Sequence, residues 1–236
     1  MMSGLKVAIM QPYFFPYFGY FQLINEVDTF VFYDDVNYIK KGWINRNRIL
    51  IDGKDKLTTI SCKKVSQNKL IKDIEIDYSA DYQKLLSRIR IAYKKAPYFN
   101  EVITVLENTL NTKYKSISEL NISSIKAVFT YLEKPQKFCI SSQNFGSSKG
   151  MSKADRLINI TKSIGAGNYV NPIGGVDLYD KNYFLKQDVK LWFMQHHLFE
   201  YKQFETAFVS GLSIIDVLMF NDKETIIANL SNNILI

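Results

Sequence analysis

Apolar residues open the chain as a short unbroken run at 7–10, closed by Gln11-Pro12, and after an aromatic loop they recur at Tyr20, Phe21, Leu23, Ile24 and Val27. The unbroken run predicts a buried strand, and the three-to-four-residue spacing that follows it predicts a helix. Residues 29–33 are β-branched and aromatic, which predicts a second buried strand with Asp34-Asp35 at its carboxyl end. The chain therefore begins as a βαβ unit. Residues 48–51 and 56–62 flank Asp52-Gly53, whose turn chemistry predicts an antiparallel hairpin rather than another crossover.

A helical section follows. Tyr82, Leu85, Leu86, Ile89 and Tyr93 mark one amphipathic helix stopped by Pro97, residues 100–110 form a second, and Ser116 with Glu119 supplies a capping box for a third. Alternation then resumes with a strand at 137–141, a polar loop at 142–150 and a helix at 153–164 bounded by Ser152 and Gly165. A strand at 169–171, a glycine-containing loop at 172–177, a strand at 189–195 and helices at 213–220 and 223–229 complete the chain. The pattern predicts an α/β fold of Rossmann-like type: three layers, a mostly parallel sheet and a helical insertion at 79–135 within a single domain spanning 1–236. Ligands of open α/β sheets sit beyond the carboxyl ends of the strands, so loops 11–19, 34–47, 142–150 and 171–177 should converge on one rim.

Composition narrows the class. With 47% hydrophobic and 22% charged residues the chain is ordinary globular material, not a disordered or disulfide-stapled one. Thirty Lys and Arg against 23 Asp and Glu give +7, which favours an anionic partner. Cys62 and Cys139, each in an apolar stretch, read as buried free thiols. No apolar run approaches the roughly 18 residues of a membrane span, and the start lacks a signal-peptide pattern, so no span and a cytoplasmic location are expected. The two histidines, 196 and 197, exclude a three-histidine metal site, and no C-x-x-C zinc motif occurs, so no metal is predicted. The contexts G-x-S-x-G and Q-A-C are also absent.

Several residue groups carry candidate chemistry. Gln11 can read a sugar or base edge, and Tyr20 lies in the first turn of a helix. In the dense segment 33–50, Asp34 or Asp35 is a candidate general base, with Asp35 favoured, Trp43 a stacking surface and Asn45 a further site candidate, while Lys40, Lys41, Arg46 and Arg48 can pair with a diphosphate, although Arg48 alternates with Ile49 as an outward strand residue would. Lys153 and Arg156 stand near a helix N-terminus, where cations are unfavourable unless an anion lies between them. Asn171, Gly174 and Gly175 follow a strand and allow close backbone approach, without the G-x-G-x-x-G spacing. His197 ends a strand at the same rim and is a second candidate base. Against these readings stand plain structural ones: aromatics that cover a sheet edge, and charges on solvated faces. Ser213 and Asp216, in a nearly all-apolar helix, need buried partners and would brace the rim or serve it directly.

These residues also carry a resemblance. Gln11-Pro12, Pro16, Gly19-Tyr20-Phe21, the block YDDVNYIKKGWINRNRI, KADRLI, GAGNYVNPIGG and GLSIIDVLMFN resemble the WbqC-like family, bacterial proteins found in gene clusters for O-antigen and other surface polysaccharides. The resemblance runs from end to end of the chain. It implies a role in surface-polysaccharide assembly, and together with the positive balance it leads to the reading of an enzyme acting on a nucleotide-linked sugar, with transfer of an acyl or aminoacyl group, such as glycyl, to an amino sugar. Arg46, Lys153 and Arg156 would hold the diphosphate, Trp43 and Tyr20 would pack on base or sugar, and Asp35 or His197 would take the amine's proton. No cofactor is firmly implied beyond an acyl or aminoacyl donor on a carrier, which could be a carrier protein. In spacing, the first strand, turn and helix are also similar to nucleotidylyltransferases of the HIGH superfamily, but their H-x-G-H reads Tyr17-Phe18-Gly19-Tyr20 here. Nucleotidyl transfer and a non-catalytic sugar-nucleotide-binding role are the alternatives. Nucleic acid is disfavoured, because the cations are scattered among acids along the chain as a whole.

Overall fold

The computed structural model describes residues 4–205 and 207–236. Strand β1 (Lys6–Met10) leads through a proline-bearing loop into α1 (Phe18–Asn25) and returns as β2 (Thr29–Phe32). The hairpin β3 (Arg46–Ile51) and β4 (Lys54–Thr59) comes next, followed by α2 (Ala80–Tyr93), α3 (Phe99–Leu110) and α4 (Ile117–Tyr131). The chain continues with β5 (Phe138–Ile140), α5 (Ser141–Asn144), α6 (Lys153–Ser163), β6 (Asn168–Pro172), α7 (Lys181–Leu185) and β7 (Lys190–His196). It finishes with α8 (Ile214–Phe220), α9 (Lys223–Leu230) and β8 (Asn233–Leu235).

Six strands pair in the order β5-β2-β1-β6-β7-β8. Every pair is parallel except β7 with β8. The chain lays down β1, β2 and β5 to one side, then crosses back over β1 to add β6 and β7, so the winding reverses between β1 and β6. In sheets of this kind, that reversal opens a crevice at the carboxyl ends.

Period-two alternation builds the three layers. Ala8, Phe30, Phe32, Val170 and Met194 face a core shared with α1, α4, α8 and α9, while Val7, Ile9, Val31, Tyr169, Leu191 and Phe193 face α6 and α7 on the other side. A slip of one residue in any central strand would exchange the two sets, which fixes the register. The helical section joins the first of these cores: Phe129 of α4 packs against Phe21 of α1 and Phe138 of β5 at 5.7 and 5.9 Å between ring centroids. The hairpin forms its own two-stranded sheet, with Asp52 at φ 50° and Gly53 at φ 69°, the paired left-handed conformation that a tight two-residue turn requires.

Local signals act as the sequence predicts, with small differences. Ser116 Oγ accepts from the Glu119 amide at 3.3 Å, and the Glu119 carboxylate reaches back to the Lys115 amide, one residue outside the expected box. The short α5, α7 and β8 are not predicted, since three to five residues offer no periodicity. Cys62 and Cys139 are free but half-buried rather than buried. Burial, with Asp77 adding to it, pushes the Cys62 thiol up to about 12. Among the described residues no helix is long and apolar enough to cross a membrane.

Candidate functional site

A cavity of about 260 Å³ opens at the carboxyl edge of the sheet. Its wall comes from three stretches distant in sequence: Tyr13, Pro16 and Tyr17 after β1; Trp43, Asn47 and Arg48 entering the hairpin; and His196, Leu198 and Gly211 at and after the end of β7. The Trp43 ring has two guanidinium groups near it, Arg48 at 5.6 Å and Arg46 at 5.9 Å from the ring centroid. Tyr17 Oη and His196 Nδ1 lie 3.5 Å apart, with the rings edge to face.

Buried amides and hydroxyls hold the loop at 11–17. Its carbonyls are claimed one after another: Gln11 by the Tyr20 hydroxyl at 2.8 Å, Pro12 by Asn121 Nδ2 at 2.9 Å, and Phe14 and Phe15 by Asn47 Nδ2 at 3.0 and 2.6 Å. Ser213 Oγ also donates to Phe15 at 2.7 Å, and the Ile214 amide donates to Pro16 at 2.8 Å. Phe15 itself sits at φ 37°, a conformation costing about 1–3 kcal/mol that persists only where neighbours over-determine it. Asn121 also donates to the Ile44 carbonyl at 2.7 Å, so one side chain of α4 ties the first loop to the one carrying Trp43. Gly19 is needed for close approach: a Cβ there would lie 2.5 Å from the Tyr17 ring and 2.8 Å from His196 Cγ.

The far wall depends on Asp216, a fully buried carboxylate with no ion pair among the described residues. Tyr93 donates to it at 2.9 Å, Tyr201 at 2.7 Å and Gln203 at 2.6 Å. Gln203 also pairs with both backbone groups of Val209, so Asp216 anchors the loop that brings Leu198 and Gly211 to the cavity. Burial raises the Asp216 pKa, while the three hydrogen bonds pull it partly back. In the cavity, burial and then the neighbouring His197 lower the His196 pKa, which keeps the imidazole neutral at neutral pH. Burial, with a smaller effect from Tyr13, pushes the Tyr17 phenol up to about 12, so it stays protonated. Arg48 is the cation of the wall: it pairs with Asp55 at 3.1 Å and donates to the Gly211 carbonyl at 3.3 Å. Among the described residues its buried Nε has no partner.

The structure distributes the sequence-predicted residues unevenly. Trp43 lines the cavity. Gln11 is half-buried, and its side chain accepts a long bond from Tyr13 at 3.5 Å. Tyr20 is buried with its hydroxyl committed to the loop, so it braces the site from behind and offers no donor to a ligand. Asn45 is likewise committed, to Tyr38 and to the Ile60 carbonyl, and Arg46 caps the carbonyls of Lys41 and Gly42. His197 contributes its carbonyl to Gln22 at 3.0 Å, while its neighbour His196 faces the cavity.

Asp35 and Arg156 meet each other, in a buried ion pair at 2.5 Å. Ser141 Oγ lies 2.5 Å from Asp35 and 3.0 Å from Asp34, Ser142 binds Asp34 through both its amide and its hydroxyl, and Arg156 Nε reaches Ser148 at 3.2 Å. A carboxylate so fully paired is not poised as a base, nor is its guanidinium free for a diphosphate; the group joins the ends of β2 and β5 to α6. Lys153 is exposed at the start of α6. Asn171 is buried and accepts from Tyr169 at 3.0 Å, and Gly175 leaves room for it, because a Cβ there would fall 1.7 Å from Asn171 Nδ2. Gly174 is exposed with open space around it. Loops 142–150 and 171–177 thus leave from the same edge as the cavity without lining it. Of the other lining residues, Arg48 is among the cations of 33–50 that the sequence offers to a diphosphate, and His196 is the neighbour of His197 at the end of the same strand.

Fold and rim together define a doubly wound α/β protein with a cavity at the carboxyl edge of its sheet. The chain belongs to the WbqC-like protein family, whose model matches residues 11–228. It is similar to the uncharacterized protein Rv1507c of Mycobacterium tuberculosis (strain ATCC 25618 / H37Rv), with 31% identity over 220 residues, covering 92% of this chain and 93% of that relative. No solved structure matches it significantly.

Proposed function

We propose that the cavity binds a nucleotide-linked sugar and that the protein acts in surface-polysaccharide assembly, moving an acyl or aminoacyl group onto an amino sugar. The observation that carries this reading is the Trp43 ring at the cavity wall with the Arg46 and Arg48 guanidinium groups beside it. A flat aromatic surface suits a base or sugar ring, and an adjacent guanidinium suits a phosphate, which it can grip bidentately. No carboxylate is among the lining residues, and Asp55, on the exposed side of Arg48, is the counter-ion that a phosphate would displace. The cavity is smaller than the 300–1,000 Å³ usual for whole ligands, consistent with one ring held inside and the rest of the molecule along the mouth.

The reaction places a base beside the acceptor amine. As the amine nitrogen forms its bond to the donor carbonyl carbon, its proton passes to the neutral His196; the bond from that carbon to the carrier then breaks, and the carrier leaves with the electron pair and takes up that proton. The family name fits surface-polysaccharide assembly. A thermal-shift screen of nucleotides and nucleotide-linked amino sugars tests the reading. Stabilisation by the sugar-linked compounds, lost in Arg48→Ala with folding intact, is the expected result; no response to any compound would overturn it.

A further inference from the structure

The charge of this chain is concentrated in one place. Residues 36–72 hold ten lysines and arginines against two aspartates, a balance of +8, whereas the entire chain carries +7. The remainder is therefore close to neutral. This segment includes the hairpin and the loops on either side of it, and β4 is exposed at every position but Thr58. Lys40, Lys41, Lys54, Lys56, Lys64 and Lys69 are exposed or at the surface edge, and none forms an ion pair among the described residues.

Large apolar side chains stand exposed on the same segment: Ile39 at 48%, beside Lys40 and Lys41, Trp43 at 39%, and Leu57 at 53% of their surface. Leu57 pairs across the hairpin with Arg48, and the Arg46 side chain holds the turn carrying Ile39 to Lys41. Trp43 and Arg48 belong to the cavity wall, and Leu57 shares Arg48's face of the ribbon while Lys54 and Lys56 alternate to the other, so the ribbon and the loop at 39–43 border the cavity mouth with cations on both sides of the strand. Unpaired lysines with interleaved Trp, Ile and Leu are the composition of a surface that rests at a lipid headgroup layer, where cations meet anionic lipid and apolar side chains enter the acyl boundary. A nucleic acid would use the cations but gain nothing from Ile39 and Leu57.

We propose that this basic hairpin and its flanking loops dock the protein on an anionic lipid bilayer, with the cavity mouth held at the membrane surface. The inference stands apart from what fills the cavity. Its test is flotation of the full chain with vesicles of phosphatidylcholine, with and without phosphatidylglycerol, alongside binding to single-stranded RNA. The expected result is partitioning onto the mixed vesicles alone, weakened by added salt. Each cation near such a surface contributes on the order of five-fold in partitioning, so Lys54→Glu with Lys56→Glu should lower it by well over ten-fold. Lys40→Glu with Lys41→Glu, in a separate loop, should act similarly, circular dichroism confirming the fold of both. Ile39→Ser with Leu57→Ser should lower the binding that survives at high salt. Absence of vesicle binding, or RNA binding that exceeds it and ignores the Ile39 and Leu57 changes, would overturn the proposal.

Discussion

Asp216 carries more of the site's architecture than any residue lining it. Three donors from two parts of the chain, α2 and the stretch after β7, converge on it, so its removal leaves them buried without that partner. Asp216→Ala should cost about 2–4 kcal/mol in denaturant unfolding, by the usual penalty for orphaned buried donors. Its pH dependence has a definite sign. Burial raises its pKa above the ordinary 3.8, so the folded state binds the proton more tightly than the unfolded chain does. The stability this contributes is present below 3.8 and is lost as pH rises through the raised value. The stability margin of the native protein over Asp216→Asn should therefore be widest in acid and narrow as that range is crossed. At this scale the sequence was legible as a demand rather than as an answer: a carboxylate amid Ile214, Ile215, Val217 and Leu218 had to find partners, but Tyr93, Tyr201 and Gln203 could not be named from spacing. Similarly, two adjacent histidines at a strand end offer two opposite directions, and only the packing of Tyr17 and Gly19 shows that His196 is the one turned to the cavity.

Single buried side chains also connect whole elements. Asn121 projects from α4 to the carbonyls of Pro12 and Ile44, joining the helical section to both loops that form one side of the cavity. Asn121→Ala should destabilise the fold by about 1–3 kcal/mol, the cost of two buried carbonyls left bare. Amide hydrogen exchange should quicken in 11–17 and 42–46 and change little in β6 and β7; uniform change throughout would show that the loops are not held locally. Elements longer than about seven residues were readable from periodicity, and the hairpin from Asp52-Gly53. What the pattern could not show is that β3 carries a cavity residue: Arg48 alternates with buried Ile49 as an outward strand residue does, and only the fold of the Trp43 loop turns that outer face into a wall.

On the scale of the molecule, alternating strands and helices were enough to give a mostly parallel α/β sheet, because each central strand is apolar on both faces and each face finds its own helices. Convergence at the rim was legible in part. All four expected loops leave from carboxyl ends, yet the cavity is built by the first two together with the stretch after β7, while the paired carboxylates of 34–35 turn inward to Arg156 and the serines. Averaging charge over the full length also hid its location, since the excess of cations lies within 36–72.

The central claim is that Trp43 and Arg48 together receive a nucleotide-linked sugar. Trp192, the other of the two tryptophans, bonds to Asn168 away from the cavity, so Trp192→Phe leaves Trp43 as the sole indole reporter. Titrating that variant with nucleotide-linked amino sugars should quench and saturate its emission, and adding Arg48→Ala should weaken the apparent affinity by ten-fold or more, on the order of the 1.5–3 kcal/mol of a charge-assisted hydrogen bond. Saturable binding by calorimetry with Trp43 emission unmoved, or affinity indifferent to Arg48→Ala, would contradict the account.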